Sequence, residues 1–416
     1  MALREHELRR QIVGEMHLRR WPEVVAPATI YQIVRIVSES EREQEREVVE
    51  QLFDQPGDAL RQDQRHLSGV LATGLRADWE RHTEGSTITL FAAPDNDDEQ
   101  ISNALCEIES LPGKVIRATR IVVAEDEGAA TESIAKMGFV PLEVVSSHVG
   151  PGVRFWSDFR IHAHGYGGIV VAANGCPPPA LGRTIQQLQE LGNYRNMALL
   201  GLPPTRDQWP RLDIVERELR RFAANVSDPA MKDDALLEYV AALSLDIANL
   251  SNAIGYRLDA TRAYAQLVSE RLDELGPVPI AGFQSIAEFT QRRLQPGVRT
   301  CEAHRNRLAQ LSDRARDLTA LLRARVETRI ENQNARLLES MNQTGQRQMR
   351  LQQLVEGLSI FALTYYGVGL LGYLLGGLEE VTHVSSPGLI KAAAVPILIV
   401  TIAMAFHAIR RRILDD

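Results

Sequence analysis

His82 and Glu84, in Arg81-His82-Thr83-Glu84, place an imidazole beside a carboxylate, the pair that general acid–base chemistry uses. Asp158, Arg160 and His162 supply the same side-chain types further along. Together the five form an enzyme site only if they converge in one cleft. The plainer reading of Thr83-Glu84-Gly85 is a hairpin turn. His162-Ala163-His164 is a fragment of a metal site at most, because no third ligand accompanies it, and two histidines in a turn are usually solvated. Asp95-Asn96-Asp97-Asp98-Glu99 matches a calcium loop only in oxygen content; it lacks the glycine and the terminal glutamate at the required spacing. No P-loop, G-x-S-x-G, H-E-x-x-H or dinucleotide fingerprint is present, so no catalytic residue, cofactor or metal is assigned. Cys106, Cys176 and Cys301 are odd in number and far apart, which suits a reducing compartment.

The elements that must carry these residues fall into four stretches. Residues 1–175 read as an α/β domain. A polar helix from Glu5 to Met16 leads into a β-branched run, Thr29 to Val37, and a charged helix, Glu39 to Phe53. Leu75 to His82 and Ser86 to Ala92 read as paired strands. An acidic loop, Asp95 to Gln100, precedes a short helix, Ile101 to Ser110, and the strand Val115 to Val123. Leu142 to Val149, Val153 to Ile161 and Tyr166 to Ala173 are extended. Pro177-Pro178-Pro179 changes the regime, and residues 176–283 read as a helical domain: Ala180 to Leu200, Asp207 to Val226 beyond Pro203-Pro204, and Asp233 to Leu275.

Residues 284–356 form a stalk helix, unbroken from Val298, with a stripe of Leu308, Leu311, Ala315, Leu318, Leu322, Val326, Ile330, Leu337 and Met341. Such a helix packs on its predecessors or on copies of itself. Residues 357–416 read as a transmembrane hairpin with a basic tail. Gly357 to Leu378 carries no charge and, at ~1.5 Å per residue, spans about 33 Å against a bilayer core of roughly 30 Å. Leu389 to Ile409 is the second span. Arg347, Arg350 and Arg410-Arg411-Arg412 flank the spans, while the connecting loop begins Glu379-Glu380. Both ends are therefore expected in the cytoplasm of a bacterial inner membrane. The N-terminus lacks the apolar core of a signal peptide. Residues 1–283 carry a net charge of −13, which argues against a nucleic-acid partner.

Gly369, Gly372 and Gly376 share one face of the first span, with Tyr365, Tyr366 and Tyr373 nearby. The face packs either on the second span, through Ala394 or Ala403, or between protomers around a pore.

Several segments resemble a bacterial family of uncharacterised membrane-anchored proteins, domain of unknown function thirty-four twenty-two. They are Arg81-His82-Thr83-Glu84, Trp156-Ser157-Asp158-Phe159-Arg160-Ile161-His162, Asn193-Tyr194-Arg195-Asn196-Met197-Ala198-Leu199-Leu200, Arg262-Ala263-Tyr264, Arg299-Thr300-Cys301, Gln353-Leu354-Val355-Glu356-Gly357-Leu358-Ser359 and Tyr365-Tyr366. The resemblance implies a membrane location and no established activity. In plan, the chain also resembles the CorA-type magnesium channels, which form pentamers around the first span. Their Gly-Met-Asn triplet is missing here.

The expectation is an α+β, non-enzymatic inner-membrane protein with a cytoplasmic head, self-associating through its stalk and first span, with lipid and its own copies as partners. The alternative is a divalent-cation channel of CorA-like plan, with Glu379 and Glu380 as an outer acidic ring and the hydroxyls of Thr364, Tyr366 or Tyr373 replacing the missing asparagine.

Overall fold

The computed structural model describes all residues except 1–4, 10–11, 14–20, 54–63, 227–230, 380–386 and 415–416. The chain divides into two compact units, Met1–Thr319 and Ala320–Asp416. The expected helix Glu5 to Met16 lies partly outside the described residues.

The first unit is built on a nine-stranded sheet of order β2-β3-β4-β1-β5-β8-β7-β6-β9. Its strands are β1 (Ala28–Ile36), β2 (His66–Val70), β3 (Arg76–Arg81), β4 (Gly85–Ala92), β5 (Lys114–Ala124), β6 (Val145–Val149), β7 (Val153–Ser157), β8 (Gly167–Ala172) and β9 (Val278–Pro279). Only β5 and β8 pair in parallel; every other neighbour is antiparallel. The fold is thus α+β, and the expected α/β character is confined to that one pair.

Period-two alternation sends the strands' side chains to opposite faces. Ile30, Ile121, Val123, Ile169 and Val171 enter one core, whereas Ile33, Ile88 and Leu90 enter another, and Val170 and Ala172 a third. Three helices cover the second and third cores: α1 (Arg42–Leu52) through Val49 and Leu52, α2 (Asp98–Glu109) through Ala104 and Ile108, and α3 (Glu127–Met137) through Ala130 and Met137. The first core is closed by α4 (Pro178–Leu199), α6 (Asp233–Leu275) and α7 (Ile286–Arg293), through Leu181, Ile185, Leu188, Val268 and Ile286 among others. Helix α5 (Leu202–Asn225) instead joins α6 and the start of α8 (Gln295–Glu379) around Leu212, Leu219, Ile247, Leu308 and Leu311.

Local chemistry explains most boundaries. Pro178 sits in the first turn of α4, where a missing N–H costs nothing. Helix α6 runs over the residues its 3–4 spacing indicates and stops at Gly276, whose left-handed φ of 52° lets its N–H reach the carbonyls of Leu272 and Asp273. Several expectations need correction. The stretch Asp95 to Gln100 is not all loop: Asp97 caps α2 by accepting from the Gln100 N–H at 2.6 Å, and Gln100 returns the bond. Pro203-Pro204 does not separate helices but lies in the first turn of α5. The strand expected over Val153 to Ile161 ends at Ser157. The stalk helix expected over 284–356 begins as a separate short helix, α7, capped by Ser285 and ending at Arg293, before α8 starts at Gln295. β2, β9 and α3 carry no sequence expectation.

Helix α8 contains no break at Gly357. Among the described residues one helix is long and apolar enough to cross a membrane; the apolar stretch Ala392–Ala405 of α9 (Pro387–Leu414) is shorter. The expected two-span hairpin is therefore unconfirmed, with one helix of sufficient length and apolarity among the described residues.

Candidate functional site

The five suspected catalytic residues fall into two groups. His82 and Glu84 sit at the β3–β4 turn, Asp158, Arg160 and His162 after β7, and strands β1 and β5 lie between β4 and β8. His82 Nε2 lies 2.8 Å from the Thr87 hydroxyl. The Glu84 carboxylate accepts both Nη groups of Arg257, at 2.6 and 3.0 Å, and so ties the hairpin to α6. Burial and this carboxylate push the Tyr264 phenol upward. Arg81-His82-Thr83-Glu84 and Arg262-Ala263-Tyr264 thus meet at a buried ion pair.

The second group builds a turn. Asp158 is buried and accepts the Arg160 N–H at 3.1 Å, lies 3.3 Å from His162 Nε2, and takes the Val140 N–H at 3.4 Å. Ser157 donates to the Gly168 carbonyl at 2.7 Å and accepts the Phe159 N–H at 3.1 Å. These bonds hold Phe159 at φ 51°, a conformation that costs a non-glycine residue about 1–3 kcal/mol. Arg160 is engaged by Glu143 at 2.7 Å. His162 and His164 stack at 5.8 Å, and among the described residues no three His, Cys, Asp or Glu side chains gather as a metal would need.

The strained Phe159 lines a cavity of about 400 Å³ between β5, the turn after β7, α4 and α7. Its ring stacks on Phe289 at 4.4 Å, and the Arg195 guanidinium lies 4.3 Å from the Phe159 centroid and 5.4 Å from that of Phe289. The Arg195 side chain makes no hydrogen bond or ion pair with a described residue, and its Nη1 is buried without a partner. Arg117 lines the same cavity from β5. Its Nη1 donates to Gln32 at 3.1 Å and to Asn193 at 2.8 Å, both neutral amides. The guanidinium lies flat on Gly192, where a Cβ would come within 2.8 Å of three of its atoms. Burial pushes Arg117 down to about 9, helped by the like charge of Arg195, and burial pushes Arg195 down to about 10. Both remain cations at neutral pH. Asn196 donates to the Ile116 carbonyl at 3.3 Å, closing the wall between α4 and β5.

Sequence reasoning missed this pocket, though it quoted two segments that meet there, the one holding Phe159 and the one holding Arg195. The available signal was an arginine inside an apolar run: Arg117 in Val115-Ile116-Arg117-Ala118 and Arg195 before Met197-Ala198-Leu199-Leu200.

In the second unit, Gly367 meets α9: its Cβ position lies 3.2 Å from Leu398. A Cβ built at Gly369 or Gly376 would meet nothing within 4 Å among the described residues. Gly372 is half-buried. Tyr366 and Tyr373 are exposed, and the Thr364 hydroxyl donates to the Ile360 carbonyl of its own helix at 2.7 Å. Gly369 and Tyr373 line, with Val395 and Ile399, a cavity of about 830 Å³. Glu379 ends α8, and Glu380 lies outside the described residues.

The fold and pocket define an α+β protein with a cationic cavity in its first unit and a bare apolar helix in its second. The chain belongs to the family described as protein of unknown function (DUF3422), whose model matches residues 4–413. No curated protein matches it.

Proposed function

We propose that this is a non-enzymatic protein anchored in a bacterial inner membrane by its C-terminal apolar helices, with residues 1–319 in the cytoplasm, and that it self-associates through its stalk and first span. The surface of α8 carries the reading. The stripe is buried at Leu308, Leu311 and Ala315, yet every residue of 327–355 is exposed, including Ile330, Leu337 and Met341. Beyond these, Leu358, Phe361, Tyr365, Leu370 and Tyr373 are exposed in a stretch without charge. A long helix gains its stability from packing an apolar face. Lipid would cover the uncharged stretch, and the same stripe of a second copy would cover the charged one. Arginines flanking the apolar runs favour the cytoplasmic side for both ends. The divalent-cation alternative has only its plan in support.

Light scattering of the full chain in detergent tests the assembly. A multiple of the 46.3 kDa chain mass supports it, and a particle that stays monomeric at high concentration refutes it. Ile330→Glu combined with Leu337→Glu should shift the particle toward the monomer. Release from membranes by alkaline carbonate would refute the anchor.

A further inference from the structure

We propose that the cavity beneath the turn after β7 binds a small organic oxyanion, a carboxylate or phosphate ester on an apolar body, with its head on Arg195 and Arg117. The inference does not depend on the membrane reading. Its first support is charge. Several inward-facing arginines of the first unit have acids: Arg257 has Glu84, Arg154 has Glu127, and Arg271 has Glu190 and Glu274. Arg35 donates to the Ile108 carbonyl with Glu45 and Glu109 as more distant charges, and Arg120 lies over the Tyr31 ring. The pair at the cavity differs in bringing two such cations together. Arg117 has only amides and Arg195 only two aromatic faces. Stripping water from a guanidinium costs several kcal/mol, and a desolvated cation–π contact returns about 2 kcal/mol or more, which offsets only part of that cost. Folding alone gives no reason to place two such cations side by side. An anion that completes them does.

The shape of the site agrees. The volume of about 400 Å³ lies in the range of small-molecule sites, roughly 300–1,000 Å³, and is built the same way, with apolar walls and a few convergent polar groups. Phe159, Phe289, Ile169 and Leu294 supply the walls, and the exposed Arg293 adds a third positive charge. With its faces on the rings, Arg195 keeps the edge of its guanidinium for the bidentate bonds that carboxylates and phosphates accept. The backbone strain at Phe159 aims a ring into this cavity, and strain of that kind collects at ligand clamps.

Calorimetric titration of the full chain in nonionic detergent with phenyl phosphate, benzoate and inorganic phosphate tests this. We expect saturable binding of phenyl phosphate or benzoate at roughly millimolar affinity or tighter, the stronger of the two naming the head group. Inorganic phosphate should bind more weakly than phenyl phosphate, because it leaves the apolar walls unused. Arg195→Met should weaken binding about tenfold or more while keeping or raising the unfolding temperature, since it removes an uncompensated charge. Gly192→Ala, which displaces Arg117 without removing a charge, should also weaken binding and covers the case in which Arg195→Met fails to fold. No saturable binding of either organic probe overturns the proposal. So does an Arg195→Met protein that binds as well as the parent, or inorganic phosphate binding as tightly as phenyl phosphate.

Discussion

Arg257 on α6 and Arg195 on α4 are both arginines turned inward in the first unit, yet they meet opposite surroundings. Arg257 faces Glu84 in a two-bonded pair whose side chains are 21% and 6% exposed. Arg195 faces two phenyl rings and a cavity. The first arrangement is complete without any other molecule and fastens the β3–β4 hairpin to a helix. The second leaves a charge that nothing in its surroundings neutralises. Stability and binding therefore separate in this protein, and substitution should move them independently.

The largest effect should come from breaking the complete pair. Glu84→Ala leaves Arg257 without its acid and removes the partner of the Tyr264 phenol; a loss of about 3 kcal/mol in unfolding free energy is expected by denaturant titration. A loss below about 1 kcal/mol would mean that the pair behaves as a surface contact. Next is Asp158→Ala, which removes the acceptor for the N–H groups of Val140 and Arg160 and frees Phe159 from its left-handed turn. About 2 kcal/mol of stability should go, together with binding of organic anions. Retained binding would show that the turn does not position the ring. Smaller still is Arg195→Met, expected to leave stability within about 1 kcal/mol or raise it, because no protein partner is orphaned. A loss comparable to Glu84→Ala would erase the contrast between the two arginines.

The same contrast explains what was legible in the sequence. Periodicity and punctuation located α6, the change at Pro177-Pro178-Pro179 and the strands around Gly85, because those signals are local. The helix α3 was equally open to reading, with Asp126 as its cap and Gly138 at its end in the left-handed region, but its Ala-rich face gives a weak apolar pattern. The segment β2 alternates poorly, and β9 is two residues long and exists only as the partner of β6. The pocket depended on non-local facts. Arg117 and Arg195 meet because β5 runs beneath α4, and Phe289 arrives from α7, which lies beyond the whole of α6. No spacing rule connects those three positions. On the first span, Gly367 lies against Leu398 of α9, outside the row that holds Gly369 and Gly376.

The smallest effect concerns a buried group of opposite character, a base kept neutral. His304 on α8 is 0% exposed, beside Trp209 at 5.5 Å, and neither ring nitrogen has a hydrogen-bond partner among the described residues. Burial lowers its proton affinity, and the Arg307 charge lowers it further. The unfolded chain therefore takes up the proton at a higher pH than the folded one. Stability from this residue is fully present above the unfolded value of about 6.5 and is lost as pH falls from there toward the lower folded value, with a slope of at most about 1.4 kcal/mol per pH unit for one proton. His304→Leu should flatten that part of the stability–pH curve and leave the neutral-pH value little changed, because no hydrogen bond is broken. Urea unfolding at pH 7.5 and pH 5.5, for parent and variant, reads the difference directly. Parallel curves would mean that His304 takes its proton without cost in the fold, and that a buried, unpartnered charge is tolerated here as it is at Arg195.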